Sequence, residues 1–70
     1  MWLRWLDRAS ALGEYGVGIV YDMRRIQADP SRHNLGRLLR TARYVAQAVP
    51  DDLAKQIVCA LAIELEEVCR

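Results

Sequence analysis

Apolar residues recur at steps of three and four along almost the whole chain, and this spacing constrains the fold more than any other feature. A residue repeated at that interval stays on one face of an α-helix, whereas a strand requires a step of two. Two prolines, Pro30 and Pro50, divide the chain into three segments. The sequence therefore predicts an all-α fold, a small three-helix bundle or helical hairpin-type domain. We place the helices at about residues 2–28, 34–49 and 51–69.

The first segment carries a seam with heptad spacing. Its members are Trp2, Trp5, Ala9, Leu12, Gly16, Ile19, Met23 and Ile26. Three glycines between Gly13 and Gly18 each cost a helix about 1 kcal/mol relative to alanine. Residues 15–21 also alternate as in a strand, but no second strand candidate exists to pair with them. We favour one long helix with a kink between Gly13 and Gly18, and a strand over residues 15–21 stays open.

The second segment is predicted to be an amphipathic helix. Either Asp29 or Asn34 is expected to cap its start. Its apolar seam is Leu35, Leu38, Ala42, Val45 and Val49. Its polar face consists of Arg37, Arg40, Arg43, Tyr44 and Gln47. This face has the chemistry to contact phosphates or an acidic protein. The plainer interpretation is a solvated face, or one paired within an assembly with the acidic end of the third segment.

The third segment begins with two aspartates, which suit the positive end of a helix dipole. Its middle, residues 57–63, is apolar in every direction around the helix axis, which is typical of a buried helix. Two neighbouring helices cannot wrap it completely. We therefore expect the surface around Cys59 and Ile63, with Ala62 and Gln56 beside them, to be covered by another chain.

Size and composition lead to the same expectation. A single domain of 70 residues buries only about 60% of the surface that its unfolded chain exposes. Its hydrophobic fraction is 53%, above the roughly 45–50% of an average soluble domain. We expect oligomerisation to complete the core, as a homodimer or in a complex with another protein. The net charge of +1 gives no overall attraction to nucleic acid or to anionic lipid.

Nothing in the sequence predicts catalytic residues, a cofactor or a metal site. Its one histidine, His33, and its two cysteines match no metal-ligand spacing. Cys59 lies in the apolar centre of a helix, where a thiol behaves as a small hydrophobe. Cys69 would lie about 15 Å further along the helix axis, too far for a disulfide. With no secretory signal, these thiols favour a reducing, cytoplasmic location.

The leading hypothesis is a non-enzymatic protein-binding module: an adaptor, a chaperone-like protein or an inhibitor. Its predicted apolar contact residues are Trp2, Trp5, Leu12, Ile19, Cys59, Ala62 and Ile63. Arg37, Arg40, Arg43, Tyr44 and Gln47 are its predicted polar contact residues. One alternative is a nucleic-acid-binding regulator that uses this arginine face, without helix-turn-helix geometry. A second alternative is a peripheral membrane protein that rests on Trp2 and Trp5.

Overall fold

In the computed structural model, which describes residues 2–70, the chain forms four α-helices and one short 3-10 helix. They are α1 (Trp2–Ala11), the 3-10 helix (Gly13–Gly16), α2 (Val17–Ala28), α3 (Arg32–Ala48) and α4 (Asp52–Cys69). No strand occurs within residues 2–70, so residues 15–21 are helical rather than extended. The prediction of an all-α fold is confirmed, and the predicted number of three helices is wrong because the first segment forms two.

The first segment divides at its glycines. Gly13 has a φ of +59°, a left-handed conformation that glycine adopts freely and that ends α1. Gly16 is buried, and a Cβ placed on it would overlap the backbone oxygen of Ala9. The 3-10 turn therefore folds back tightly onto α1 before α2 begins at Val17. In place of the long kinked helix that we expected, two shorter helices meet at this turn.

The connection from α2 to α3 is capped by Ser31, so both expected caps are wrong. The Ser31 hydroxyl oxygen accepts from the backbone N–H of Asn34 at 3.1 Å. Asn34 lies inside the first turn of α3, where its Nδ2 donates to the backbone oxygen of Asp29 at 2.8 Å. This arrangement starts α3 at Arg32, two residues before the predicted position.

The start of α4 follows its prediction closely. Asp51 is the N-cap residue, and its carboxylate accepts from the backbone N–H of Leu53 at 2.9 Å. Asp52 occupies the first turn, where its charge faces the positive end of the helix dipole. The tight connection at Pro50 sends α4 back along α3, and these two helices form the largest packing contact in the molecule.

The core lies between the α3–α4 hairpin and the first two helices, with α2 packed on α3 and α1 packed on α4. Its largest fully buried side chains are Ile19, Met23, Leu38, Val49, Val58, Leu61 and Leu65. All four helices contribute buried residues. The positions of the apolar seams thus account for the core, and α1 and α2 cover one side of the hairpin.

Candidate partner-binding groove

A groove runs along the side of the α3–α4 hairpin, between the two helices. We call it the hairpin groove. Its wall on α3 consists of Arg32, Leu35, Gly36, Leu39, Arg43, Ala46 and Gln47. Its wall on α4 consists of Cys59, Ala62, Ile63, Glu66, Val68 and Cys69. Steps of three and four dominate on both walls, so each wall follows one face of its helix.

An ion pair crosses the hairpin groove and divides it into two clefts. Arg43 donates to Glu66 Oε1 from Nε at 3.1 Å and from Nη2 at 2.8 Å. On one side lies a central cleft of about 350 Å³, bounded by Arg43, Ala46, Gln47, Cys59, Ala62 and Ile63. On the other lies a terminal cleft of about 240 Å³, bounded by Arg32, Leu35, Gly36, Leu39, Val68 and Cys69. The groove therefore combines an apolar lining with charge at its middle.

The central cleft contains the surface that the sequence indicated. Ile63 is 61% exposed, and Cys59 and Gln56 are exposed as well. The prediction that one subunit leaves Cys59 and Ile63 uncovered is confirmed. Ala62 is only 8% exposed because it forms the floor of the cleft between α3 and α4. Ala62 therefore lies at the base of this cleft, and its role as a contact residue stays a prediction.

The seam of the first segment has a different role from the one we expected. Trp5, Leu12 and Ile19 are 5%, 4% and 0% exposed, and all three belong to the core. Trp2 is half-buried and packs against the same core. The turn at Gly13 folds α1 and α2 over the hairpin, so the residues of this seam pack into the core of their own chain. Trp5, Leu12 and Ile19 are therefore not surface contacts for a partner.

Trp5 also connects α1 to α4 through a polar contact. Its Nε1 donates to Glu64 Oε2 at 2.7 Å, and Arg8 Nη1 lies 2.8 Å from the same oxygen. This Arg8 atom is buried, and its geometry is that of an ion pair rather than an aligned hydrogen bond. Arg4 Nη1 adds a longer contact of 3.6 Å to Glu64 Oε1. These contacts hold Glu64 against α1, with its side chain only 27% exposed.

These contacts change the titration of Glu64. Partial desolvation raises the pKa of this carboxyl group, but the hydrogen bond from Trp5, the contact with Arg8 and the charges of Arg4 and Arg8 together lower it further. The pKa of Glu64 therefore lies below its ordinary value of 4.5. The spacing of Arg4, Trp5 and Arg8 on one face of α1 was a signal in the sequence for an acidic partner.

The structure separates the five polar residues that we had grouped on α3. Arg37, Arg40 and Tyr44 line a shallow polar cleft of about 480 Å³ together with Thr41. Arg43 and Gln47 line the hairpin groove instead. The predicted polar face thus borders two different clefts, one on each flank of the exposed side of α3. Arg43 pairs with the acidic end of the third segment within one chain, and pairing within an assembly stays a prediction.

One buried polar contact was missed altogether. Asp22 is 7% exposed and accepts a short hydrogen bond from the Thr41 hydroxyl group. Gly18 lies against the same threonine, with space for a Cβ at 3.6 Å from Thr41 Cγ2. The contact fixes α2 beside α3. A single aspartate at the edge of an apolar seam gives no sequence signal that it is buried.

The remaining groups with reactive chemistry are two thiols and one imidazole. Cys59 and Cys69 are free thiols, and His33 is exposed in the first turn of α3, near the end of the hairpin at which Cys69 lies. Within residues 2–70, no three His, Cys, Asp or Glu side chains are close enough to hold a metal ion. No helix in that range has the length and apolar character needed to cross a bilayer. What the hairpin groove offers is packing surface and charge.

The fold and the groove define a small all-α protein with an open face on a helical hairpin. No protein-family model matches the chain, and no curated protein or solved structure is detectably similar to it. The function is therefore inferred from the groove and its neighbouring surfaces.

Proposed function

We propose that this protein is a small, non-enzymatic protein-binding module and that the hairpin groove is its binding surface. The observation that carries the proposal is an open groove with exposed apolar residues on a folded subunit: Ile63 is 61% exposed and Val68 is 41% exposed. Apolar residues in a concave site rimmed by polar groups are typical of protein-binding surfaces. The adaptor, chaperone-like and inhibitor roles all use such a surface.

The shape of the groove fits an α-helix. Two helices with a seam at heptad spacing present holes into which the side chains of a further helix insert. The residues along the floor are small: Ala46 and Ala62 bound the central cleft and Gly36 bounds the terminal cleft. Small residues let a docking helix approach the backbone closely.

We take a second copy of this chain as the occupant. The wall on α3 is basic, through Arg32 and Arg43, and the charged residue of the wall on α4 is Glu66. A twofold axis parallel to the helices would place the basic wall of one subunit opposite the acidic wall of the other. Arg43 and Glu66 could then exchange partners across the axis, which supports a self-complementary interface.

The test is the mass of the protein in solution, measured by sedimentation for three chains. The wild-type protein is expected to reach twice the 8.0 kDa mass of one subunit. Ile63→Asp is expected to remain at 8.0 kDa because a carboxylate in the central cleft is not tolerated at an apolar interface. Leu3→Asp is the matched control, since Leu3 is 73% exposed on α1, and it should still dimerise.

Two results would contradict the homodimer. One is a wild-type protein that stays at 8.0 kDa at every concentration reached. The other is an equal loss of association in Ile63→Asp and Leu3→Asp. That result would show that an added surface charge prevents association whether or not it lies in the groove. Circular dichroism of each variant confirms that the helices are intact.

A further inference from the structure

The charged residues of the chain are segregated in space. Residues 15–49 contain six arginines and two aspartates, whereas residues 50–70 contain one lysine and one arginine against five carboxylates. The first range includes α2 and α3, which pack side by side. One half of the molecule is therefore basic although the whole chain has a net charge of only +1.

The outer surface of α2 and α3 combines these arginines with exposed tyrosines. We call it the arginine–tyrosine face, and its members are Tyr21, Arg25, Arg37, Arg40 and Tyr44. All five residues are exposed. On α3, Arg37, Arg40 and Tyr44 line one cleft with Thr41. On α2, Tyr21 and Arg25 lie within one turn of Asp22, which accepts a hydrogen bond from the Thr41 hydroxyl group. This contact joins the two helices between the two groups of residues.

The positive charge of this face is not neutralised by the protein. Within residues 2–70, no carboxylate lies within ion-pairing distance of Arg25, Arg37 or Arg40. Asp22, in the contact between the two helices, is buried and bonded to Thr41. Asp29 lies beyond the end of α2, where it binds Asn34. The free guanidinium groups are therefore available to an anion.

The exposed tyrosines favour one class of anion as the ligand of this face. Tyr44 is 73% exposed and Tyr21 is 59% exposed, and the Arg25 guanidinium carbon lies 5.8 Å from the centroid of the Tyr21 ring. Planar bases stack on tyrosine rings and on arginine planes, while their phosphates pair with arginine. We propose that the arginine–tyrosine face binds single-stranded nucleic acid, a function separate from the hairpin groove.

Two other anionic partners fit this surface less well. A duplex keeps the faces of its bases stacked inside, so exposed tyrosine rings would have no base to stack on. An acidic protein would pair with the arginines but carries no planar bases to stack on the two tyrosine rings. Because α2 and α3 pack side by side, neither protrudes as the recognition helix of a major-groove binder does.

The first test is fluorescence anisotropy of a labelled oligothymidylate of roughly twelve nucleotides, a length within the usual site sizes. Three arginine–phosphate contacts on a single strand predict a slope of about −2 for log K against log salt. Binding should therefore weaken about 20-fold between about 50 and 200 mM salt. The double variant Arg37→Gln/Arg40→Gln should lose most of the binding and reduce the slope to about −0.7.

Matched variants locate the site. Arg70→Gln removes the same charge from the end of α4, where Arg70 is 76% exposed beside Glu67, and should change the affinity little. Tyr44→Ala should weaken binding at least about 5-fold through lost stacking, whereas Tyr44→Phe should keep it. All of these residues are exposed, so the fold should survive each change.

Four results would overturn the proposal. These are no saturable binding at about 50 mM salt, an equal loss in Arg70→Gln and in the arginine double variant, a duplex that binds as tightly as the single strand, and polyglutamate that competes as well as the oligonucleotide. The last result would assign the face to an acidic protein instead.

Discussion

At the scale of single residues, Glu64 joins the two ends of the chain. Its carboxylate receives the Trp5 indole N–H across 59 positions of sequence, and Arg8 pairs with the same oxygen. A buried Trp5 needs a partner for its N–H, and an acceptor that carries charge makes the stronger bond. This contact fixes α1 against α4 and orients the tryptophan that fills the core beside it.

The lowered pKa of Glu64 makes this contact dependent on pH. A carboxyl group whose pKa is lower in the folded state than in the unfolded state stabilises the fold above the unfolded value, and this stability is lost as the pH falls through the folded value. We expect Glu64→Gln to be less stable than the wild type at neutral pH. The difference should shrink below the ordinary pKa of 4.5.

Urea unfolding of both proteins at several pH values measures this difference. The control is Glu67→Gln, because Glu67 is 65% exposed and has a single long contact of 3.8 Å with Arg70. It should unfold like the wild type at every pH. A constant gap between Glu64→Gln and the wild type from neutral to acidic pH would show that the charge of Glu64 does not stabilise the fold.

At the scale of helices, the division of the first segment decides the architecture. Gly16 has no room for a side chain beside Ala9, whereas Gly36 in α3 has nothing within 4 Å of an added Cβ. The same substitution should therefore have opposite effects at the two positions. The close approach at Gly16 lets α1 and α2 meet at a tight turn, and both helices can then cover the hairpin.

We expect Gly16→Ala to destabilise the fold by about 1–3 kcal/mol, because the added methyl group forces the turn away from α1. Gly36→Ala should instead stabilise α3 by roughly 0.5–1 kcal/mol, through the higher helix propensity of alanine. Denaturant unfolding at low protein concentration measures both values without a contribution from dimerisation. Similar destabilisation in the two variants would contradict the close packing of the turn.

The spacing of apolar residues predicted most of this fold because each seam reports which face of a helix is buried. It placed α3 and α4 within two residues of their bounds and identified Ile19, Met23, Leu38 and Leu61 as apolar seam residues. The same spacing continues through Gly13 and Gly16, so it could not reveal that the helix breaks there. The break depends on the positive φ of Gly13 and on a backbone contact at Gly16. The spacing of apolar residues gives no information about either.

The candidate site was predictable in part. The run of apolar residues in α4 identified Cys59 and Ile63 as uncovered, since their directions lie away from both neighbouring helices. The pairing of Arg43 with Glu66, and of Trp5 with Glu64, depends on how the helices are arranged in space. A single sequence does not report that arrangement, so the divided polar face of α3 and the role of Trp5 became visible only in the fold.

At the scale of the whole molecule, a single chain already forms a compact fold. Its surface area is 4696 Å², close to the value of about 4,450 Å² expected for a folded monomer of this mass. Its radius of gyration of 10.9 Å also matches the roughly 11 Å of a compact domain of this length. A dimer would therefore form between folded subunits, and an interface of about 800 Å² per subunit would cover about a sixth of the surface.

The most direct test of the hairpin groove as the dimer interface is the rate at which a maleimide labels Cys59, followed in a Cys69→Ser variant across a dilution series. Cys59 is an exposed thiol in the central cleft, so a partner in the groove shields it from the reagent. We predict that labelling slows as the protein concentration rises, in proportion to the fraction of dimer. A labelling rate that is independent of concentration, in a sample that sedimentation shows to be dimeric, would contradict an interface at this groove.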